Sequence, residues 1–262
     1  MAIEIHDFEA GLVLKQIHIY YVLDTSASMA GIPIAALNDA MRCTIEELRR
    51  RDGERFNVHI AVLEYNSMNR RVTQGNNGVE HLRDFFWTDL EATGMTCLGG
   101  ALNELSSILP RNETMRYGVC DVLNPPPIVI FTSDGCPVDD WQEGLRVLAE
   151  NKWYRMATKI AFALGDQVDF DVLANVVGVT ADGQIKPNHN AVIKISNPQE
   201  LPDTLQIVSV DSCIAATSRA PLFEHNIFDL PGTPDFPSMC DTPIPIDVDL
   251  VDDFQDSVFD LI

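Results

Sequence analysis

Five short apolar runs, at residues 17–23, 57–65, 128–132, 159–164 and 191–195, interleave with stretches of helical periodicity. Near-continuous runs of this length, rich in Val and Ile, suit strands buried on both faces rather than strands with one wet face. The intervening patterns predict helices. Pro33 suits a first helical position, and Ile34, Leu37, Met41, Ile45 and Leu48 then recur before Arg49-Arg50-Arg51. Further helices are predicted at 98–109, from Asp139-Asp140-Trp141 to about Asn151, at 170–177 and at 202–217. Such alternation implies an α/β fold, a doubly wound and mostly parallel sheet with helices on both faces. Ligands of these sheets bind beyond the carboxyl ends of the strands.

Three predicted loops at such ends carry oxygen donors. Asp24-Thr-Ser26-Ala-Ser28 follows the first run, Gly94-Met95-Thr96 precedes the helix at 98, and Asp134-Gly135 follows 128–132. Each alone is weak, because Ser and Thr are ordinary helix caps and Asp-Gly an ordinary turn. Together and in order they suit a hard divalent cation, which takes oxygen ligands. Two carboxylates roughly balance its charge. Glu64 ends a strand near the same edge, where it either tunes the metal loop or faces solvent.

These motifs resemble the metal-ion-dependent adhesion site of von Willebrand factor A (VWA) domains, in which D-x-S-x-S is joined by a distant Thr and a distant Asp; by that resemblance Asp24, Ser26, Ser28, Thr96 and Asp134 would be the metal ligands, with Mg²⁺ or Mn²⁺ as cofactor. The resemblance covers about residues 14–215. It is closest to the bacterial TerY-like, tellurium-resistance group, through residues 23–38, 96–102 and 133–141. It implies a Rossmann-like VWA fold and a binding module without enzymatic activity. A partner's Asp or Glu would fill an open coordination position. It also implies a bacterial stress-response setting, with protein kinases or phosphatases of the PP2C type as partners. Ala27 stands where glycine is common and Ser133 where threonine is common; neither change removes a ligand.

The chain carries 39 acidic against 18 basic residues, a net charge of −21. Such a surface repels phosphate backbones and anionic membranes, so neither nucleic acid nor a membrane is expected as partner. Residues 1–8 have no basic segment followed by an apolar one, so no signal peptide is visible and a cytoplasmic location is expected. The six cysteines show no C-x-x-C pair and read as small packed hydrophobes. His18 reads as structural.

Composition divides the chain into a VWA domain at 1–219 and a tail at 220–262. The tail has no Lys or Arg, ten acidic residues and six prolines. Leu250, Val251, Phe254, Val258, Leu261 and Ile262 recur at helical spacing among aspartates, which predicts a short acidic amphipathic helix. Such a segment binds a partner's groove, docks on its own domain, or supplies an aspartate to the metal. Two other functions compete with the adhesion reading. One is a metal-dependent phosphatase or phosphotransferase of haloacid-dehalogenase type. Such enzymes resemble D-x-D, and Ser26 cannot replace the second aspartate as a general acid at neutral pH. The other is a scaffold acting through its acidic tail.

Overall fold

The apolar runs become the strands of one sheet. A computed structural model describes residues 14–54, 56–110 and 125–218, and the tail at 220–262 lies outside the described residues. The strands are β1 (Lys15–Asp24), β2 (Phe56–Tyr65), β3 (Arg70–Arg71), β4 (Glu80–His81), β5 (Ile128–Ser133), β6 (Thr158–Leu164) and β7 (Val192–Ile195). Their order is β3-β2-β1-β5-β6-β7, with β4 also on β2. All neighbours from β2 to β7 run parallel, while β3 and β4 add short antiparallel pieces to β2. From β1 the chain winds outward to β2 on one side and to β5, β6 and β7 on the other. That makes the carboxyl ends of β1 and β5 the topological switch point.

The helices are α1 (Ile32–Arg51), α2 (Leu98–Ile108), α3 (Trp141–Leu148), α4 (Lys152–Met156), α5 (Phe170–Val177) and α6 (Leu201–Ser218). They cover both faces of the sheet. Ile17, Ile19, Tyr21 and Leu23 of β1 pack into one core with Leu37 and Met41 of α1 and Leu201 and Leu205 of α6. Tyr20 and Val22 point the other way, into a core with Leu102 of α2, Leu145 of α3 and Leu173 of α5. The strands are apolar at successive positions because each position serves one of these two cores.

Several local features depart from the sequence reading. The helix expected to run to about Asn151 stops at Leu148. Asn151 then starts α4, its side-chain oxygen accepting from the amides of Trp153 (2.9 Å) and Tyr154 (3.2 Å), a helix-capping role that Asn fills well. Of the described cysteines, only Cys213 is a buried hydrophobe; Cys97 is half-buried, and Cys43 and Cys136 are exposed. Glu64 neither faces solvent nor joins the metal loop. It is buried and ion-paired with Arg70 of the antiparallel β3.

Register also assembles a row of histidines at the amino-terminal end of the sheet. His18 of β1 sits opposite His59 of β2, which sits opposite His81 of β4. His18 and His59 stack at 4.9 Å, and His59 meets His81 edge-on at 5.0 Å. His59 Nε2 shares a hydrogen bond with Gln16 at 3.0 Å, and the Asp52 carboxylate lies 3.9 Å from His81 Nδ1. Burial, then the charge of His59, lowers His18 from 6.5 to about 4. The unfolded chain takes up this proton near pH 6.5, the folded chain only near pH 4. Its contribution to stability is therefore intact above pH 6.5 and is lost as the pH falls toward 4, by about 1.4 kcal/mol per pH unit. Urea denaturation at pH 7 and pH 4.5 tests this. His18→Leu is expected to lose about 2 kcal/mol less than the parent chain on acidification; equal losses would refute the assignment.

Candidate metal centre

β1 ends at Asp24 and β5 at Ser133, on neighbouring strands whose register pairs Leu23 with Thr132. Asp24 is fully buried. Its Oδ1 accepts from the Ser26 amide at 2.8 Å and its Oδ2 from the Ser133 hydroxyl at 2.8 Å. The Ser26 and Ser28 hydroxyls lie 3.0 Å apart, and Ser28 donates to Asp134 Oδ1 at 2.7 Å. A methyl group placed on Gly135 would stand 3.4 Å from Thr96 Oγ1 and 3.7 Å from Ser28 Oγ, so both hydroxyls flank that glycine. All five residues singled out in the sequence thus meet at the switch point. They grade from buried Asp24, Ser26 and Thr96, through half-buried Asp134, to exposed Ser28.

Backbone contacts lock the three loops together. The Ala27 amide donates to the Gly94 carbonyl (2.9 Å), the Thr93 amide to the Thr25 carbonyl (2.8 Å), and the Val138 amide to the Thr96 carbonyl (2.9 Å). Gly94 has φ +75°, a left-handed conformation that favours glycine. The departure at Ala27 is harmless, because that residue does not have a positive φ. Ser133, the other departure, binds Asp24 with its hydroxyl, as a threonine could.

The sequence reading missed three supports. Ser133 is one. Tyr65, the register partner of Asp24, is another: its buried hydroxyl donates to the Thr132 carbonyl at 3.0 Å. Burial first, then the adjacent Asp24 charge, raises its phenol well above the usual range. The third is Asp139. The sequence placed it in the first turn of its own helix, but Asp140 caps α3, accepting from Glu143 at 3.1 Å. Asp139 instead caps α2, accepting from the Gly99 and Gly100 amides at 3.0 Å each. Gly99 permits this approach, since a β-carbon there would lie 2.6 Å from the Asp140 carbonyl oxygen.

The electrostatics leave a deficit of positive charge. Burial raises the pKa of Asp24, although hydrogen bonds from Ser26 and Ser133 oppose it. Burial also raises Asp134, and the charge of Asp24 adds to the effect. Among the described residues, no Lys or Arg forms an ion pair with either carboxylate. Nor do three or more His, Cys, Asp or Glu stand anywhere among them in a group that could hold a metal ion. The donor set is therefore two carboxylates and three hydroxyls, all oxygen. It fits a hard divalent cation and not a soft one that prefers sulfur or imidazole.

No protein-family model and no curated protein sequence matches the chain. Solved structures do. A von Willebrand factor type A protein from Catenulispora acidiphila aligns over 76% of this chain and 43% of its own, with 15% identity and a TM-score of 0.55. The ArnB paralog VWA2 from Sulfolobus acidocaldarius aligns over 74% and 45%, with 18% identity and a TM-score of 0.50. The pilus adhesin SpaC from Lactobacillus rhamnosus GG aligns over 78% and 31%, with 11% identity and a TM-score of 0.53. The fold is VWA-like. The chain spans less than half the length of each of these structures.

Asp139→Ala should leave the first amides of α2 without their acceptor. The expected cost is about 1–2 kcal/mol in chemical denaturation, with Asp139→Asn losing less because it keeps an acceptor. An unchanged midpoint in the alanine variant would show that the cap is dispensable.

Proposed function

We propose that this chain is a cation-dependent protein-binding module without enzymatic activity. Asp24, Ser26, Ser28, Thr96 and Asp134 would hold Mg²⁺ or Mn²⁺. When bound, the cation supplies an electrophilic site for an Asp or Glu of a partner protein. The observation that carries this reading is the convergence of five oxygen-bearing side chains from three loops around two carboxylates that lack a basic partner. The two carboxylates only balance the charge of the ion, and both oxygens of Asp24 already accept hydrogen bonds, so coordination led by hydroxyls would leave the ion electrophilic toward an incoming carboxylate.

Each residue has a distinct task. Asp24 orients the serine loop through the Ser26 amide and is itself held by Ser133. Ser28 and Asp134 lie on the open side, where a partner would approach. The phosphatase alternative is less well supported. Both oxygens of Asp24 already accept hydrogen bonds, and Ser26 cannot act as the general acid. A partner kinase or PP2C-type phosphatase in a bacterial stress response is the setting that the TerY-like motifs favour.

Thermal denaturation with Mg²⁺ and with EDTA tests the metal site. At a concentration 100-fold above Kd, the cation should stabilise the folded chain by about 2.7 kcal/mol. For a domain of this size that raises Tm by roughly 5–10 °C. Asp24→Ala and Ser28→Ala should abolish the increment, and EDTA should release any partner captured in Mg²⁺. A Tm indifferent to divalent cations would refute the reading, and phosphoesterase turnover lost in Asp24→Asn would replace it with the enzymatic one.

A further inference from the structure

Four loop segments surround the candidate ligands: residues 25–32, 66–69, 92–97 and 135–138. None of them contains an Asp, Glu, Lys or Arg, in a chain where 22% of residues are charged. They form one collar. The Asn66 side-chain amide donates to Thr25 Oγ1 at 3.0 Å, the Met95 amide to Ser67 Oγ at 2.9 Å, and the Val138 amide to the Thr96 carbonyl at 2.9 Å. The collar is apolar as well as uncharged. Met68 is 78% exposed, Ile32 67%, Val138 62% and Met95 57%. Among the described residues, these are four of the seven large hydrophobic side chains left exposed. Loss of charge together with methionine is the composition of an interface core, and grouped exposed apolar side chains mark an interaction surface.

Charge returns at the margin. Glu91 lies two residues before Thr93 and Asp140 two after Val138, and both are exposed. A partner therefore meets a cation-ready centre, an uncharged apolar collar and an acidic margin. Charge complementarity selects what fits: a carboxylate at the centre, apolar side chains around it, and basic groups outside. The chain's net charge of −21 favours the same basic outer groups. Strand order sets the layout. β1 lies between β2 and β5, so Met68, after β2, and Val138, after β5, stand on opposite sides of the Asp24 loop. Neighbouring strands lie about 4.8 Å apart, and an extended chain advances about 3.3 Å per residue. An extended segment crossing the strand tips thus meets Met68 and Val138 within about two residues of its carboxylate.

We infer that this edge docks a linear protein segment in which one Asp or Glu stands between apolar side chains, with Lys or Arg beyond them. The carboxylate reaches the cation, the apolar neighbours cover Met68, Met95 and Val138, and the basic residues meet Glu91 and Asp140. The inference rests on the cation reading proposed above and adds selectivity to it. A surface carboxylate with polar neighbours would bury them against the collar without hydrogen-bond partners, and is rejected for that reason.

The full chain in Mg²⁺, probed with a displayed library of random dodecapeptides, tests this. Enriched peptides should carry one Asp or Glu with apolar residues within about two positions on both sides, and Lys or Arg farther out. Synthetic copies should lose binding in EDTA, and when their acid is replaced by its amide. Met68→Ser and Val138→Ser should each weaken binding about tenfold, with Tm and its rise in Mg²⁺ unchanged. Enriched acids with polar neighbours, or affinities unmoved in both serine variants, would overturn the collar and leave the cation reading standing. Enriched apolar peptides indifferent to EDTA would overturn the cation reading and this inference with it. No enrichment, with a Tm that still responds to Mg²⁺, would exclude a linear segment and overturn this inference alone. A Mg²⁺-dependent dimer lost in Met68→Ser would assign the collar to a second copy, with the same result.

Discussion

The parallel pairing of β1 with β5 is the constraint on which the site depends. It sets Leu23 against Thr132, and so brings Asp24 beside Ser133 and the loop after β1 beside Asp134. A slip of one residue would turn every side chain of β1 into the wrong core. Ile17, Ile19, Tyr21 and Leu23 fill one core and Tyr20 and Val22 the other, so neither core tolerates that slip. Hydrophobic packing over the length of a strand thus fixes the position of a carboxylate at its tip.

That carboxylate is held at a cost. Burial penalises the charged form of Asp24, and the nearby Asp134 adds repulsion. Hydrogen bonds from the Ser26 amide and the Ser133 hydroxyl offset part of it. Further order comes from the cap that Asp139 places on α2 and from the backbone bonds that join the 25–27, 93–96 and 138 loops. These contacts hold the three loops against one another.

Much of this was legible in the sequence, for identifiable reasons. Strands buried on both faces are continuous in apolar character, so the five runs marked the parallel core, and the donors sat where such sheets bind ligands. What escaped notice depends on partners distant in sequence. β3 and β4, with two residues each, are too short to show a period. The row of His18, His59 and His81 exists only through the register of three strands. Asp139 looked like a residue of its own helix because only the packing of α2 against α3 shows which amides it meets. Ser133 was noticed as a departure from a pattern, yet its bond to Asp24 needed the β1–β5 pairing. Asn151 could have been recognised as a cap, but the apolar pattern running past Leu148 hid it.

The five oxygen-bearing residues come from all three layers of the molecule. Ser26 and Ser28 lead into α1 on one face, Thr96 leads into α2 on the other, and Asp24 ends β1 while Asp134 directly follows β5 in the sheet between them. Asp139 ties α2, the helix that Thr96 leads into, to the start of α3. The gap between Ser28 and Thr96 is therefore set by the spacing of the two helical layers. A core substitution that alters this spacing, even far from the edge, would alter that gap as well.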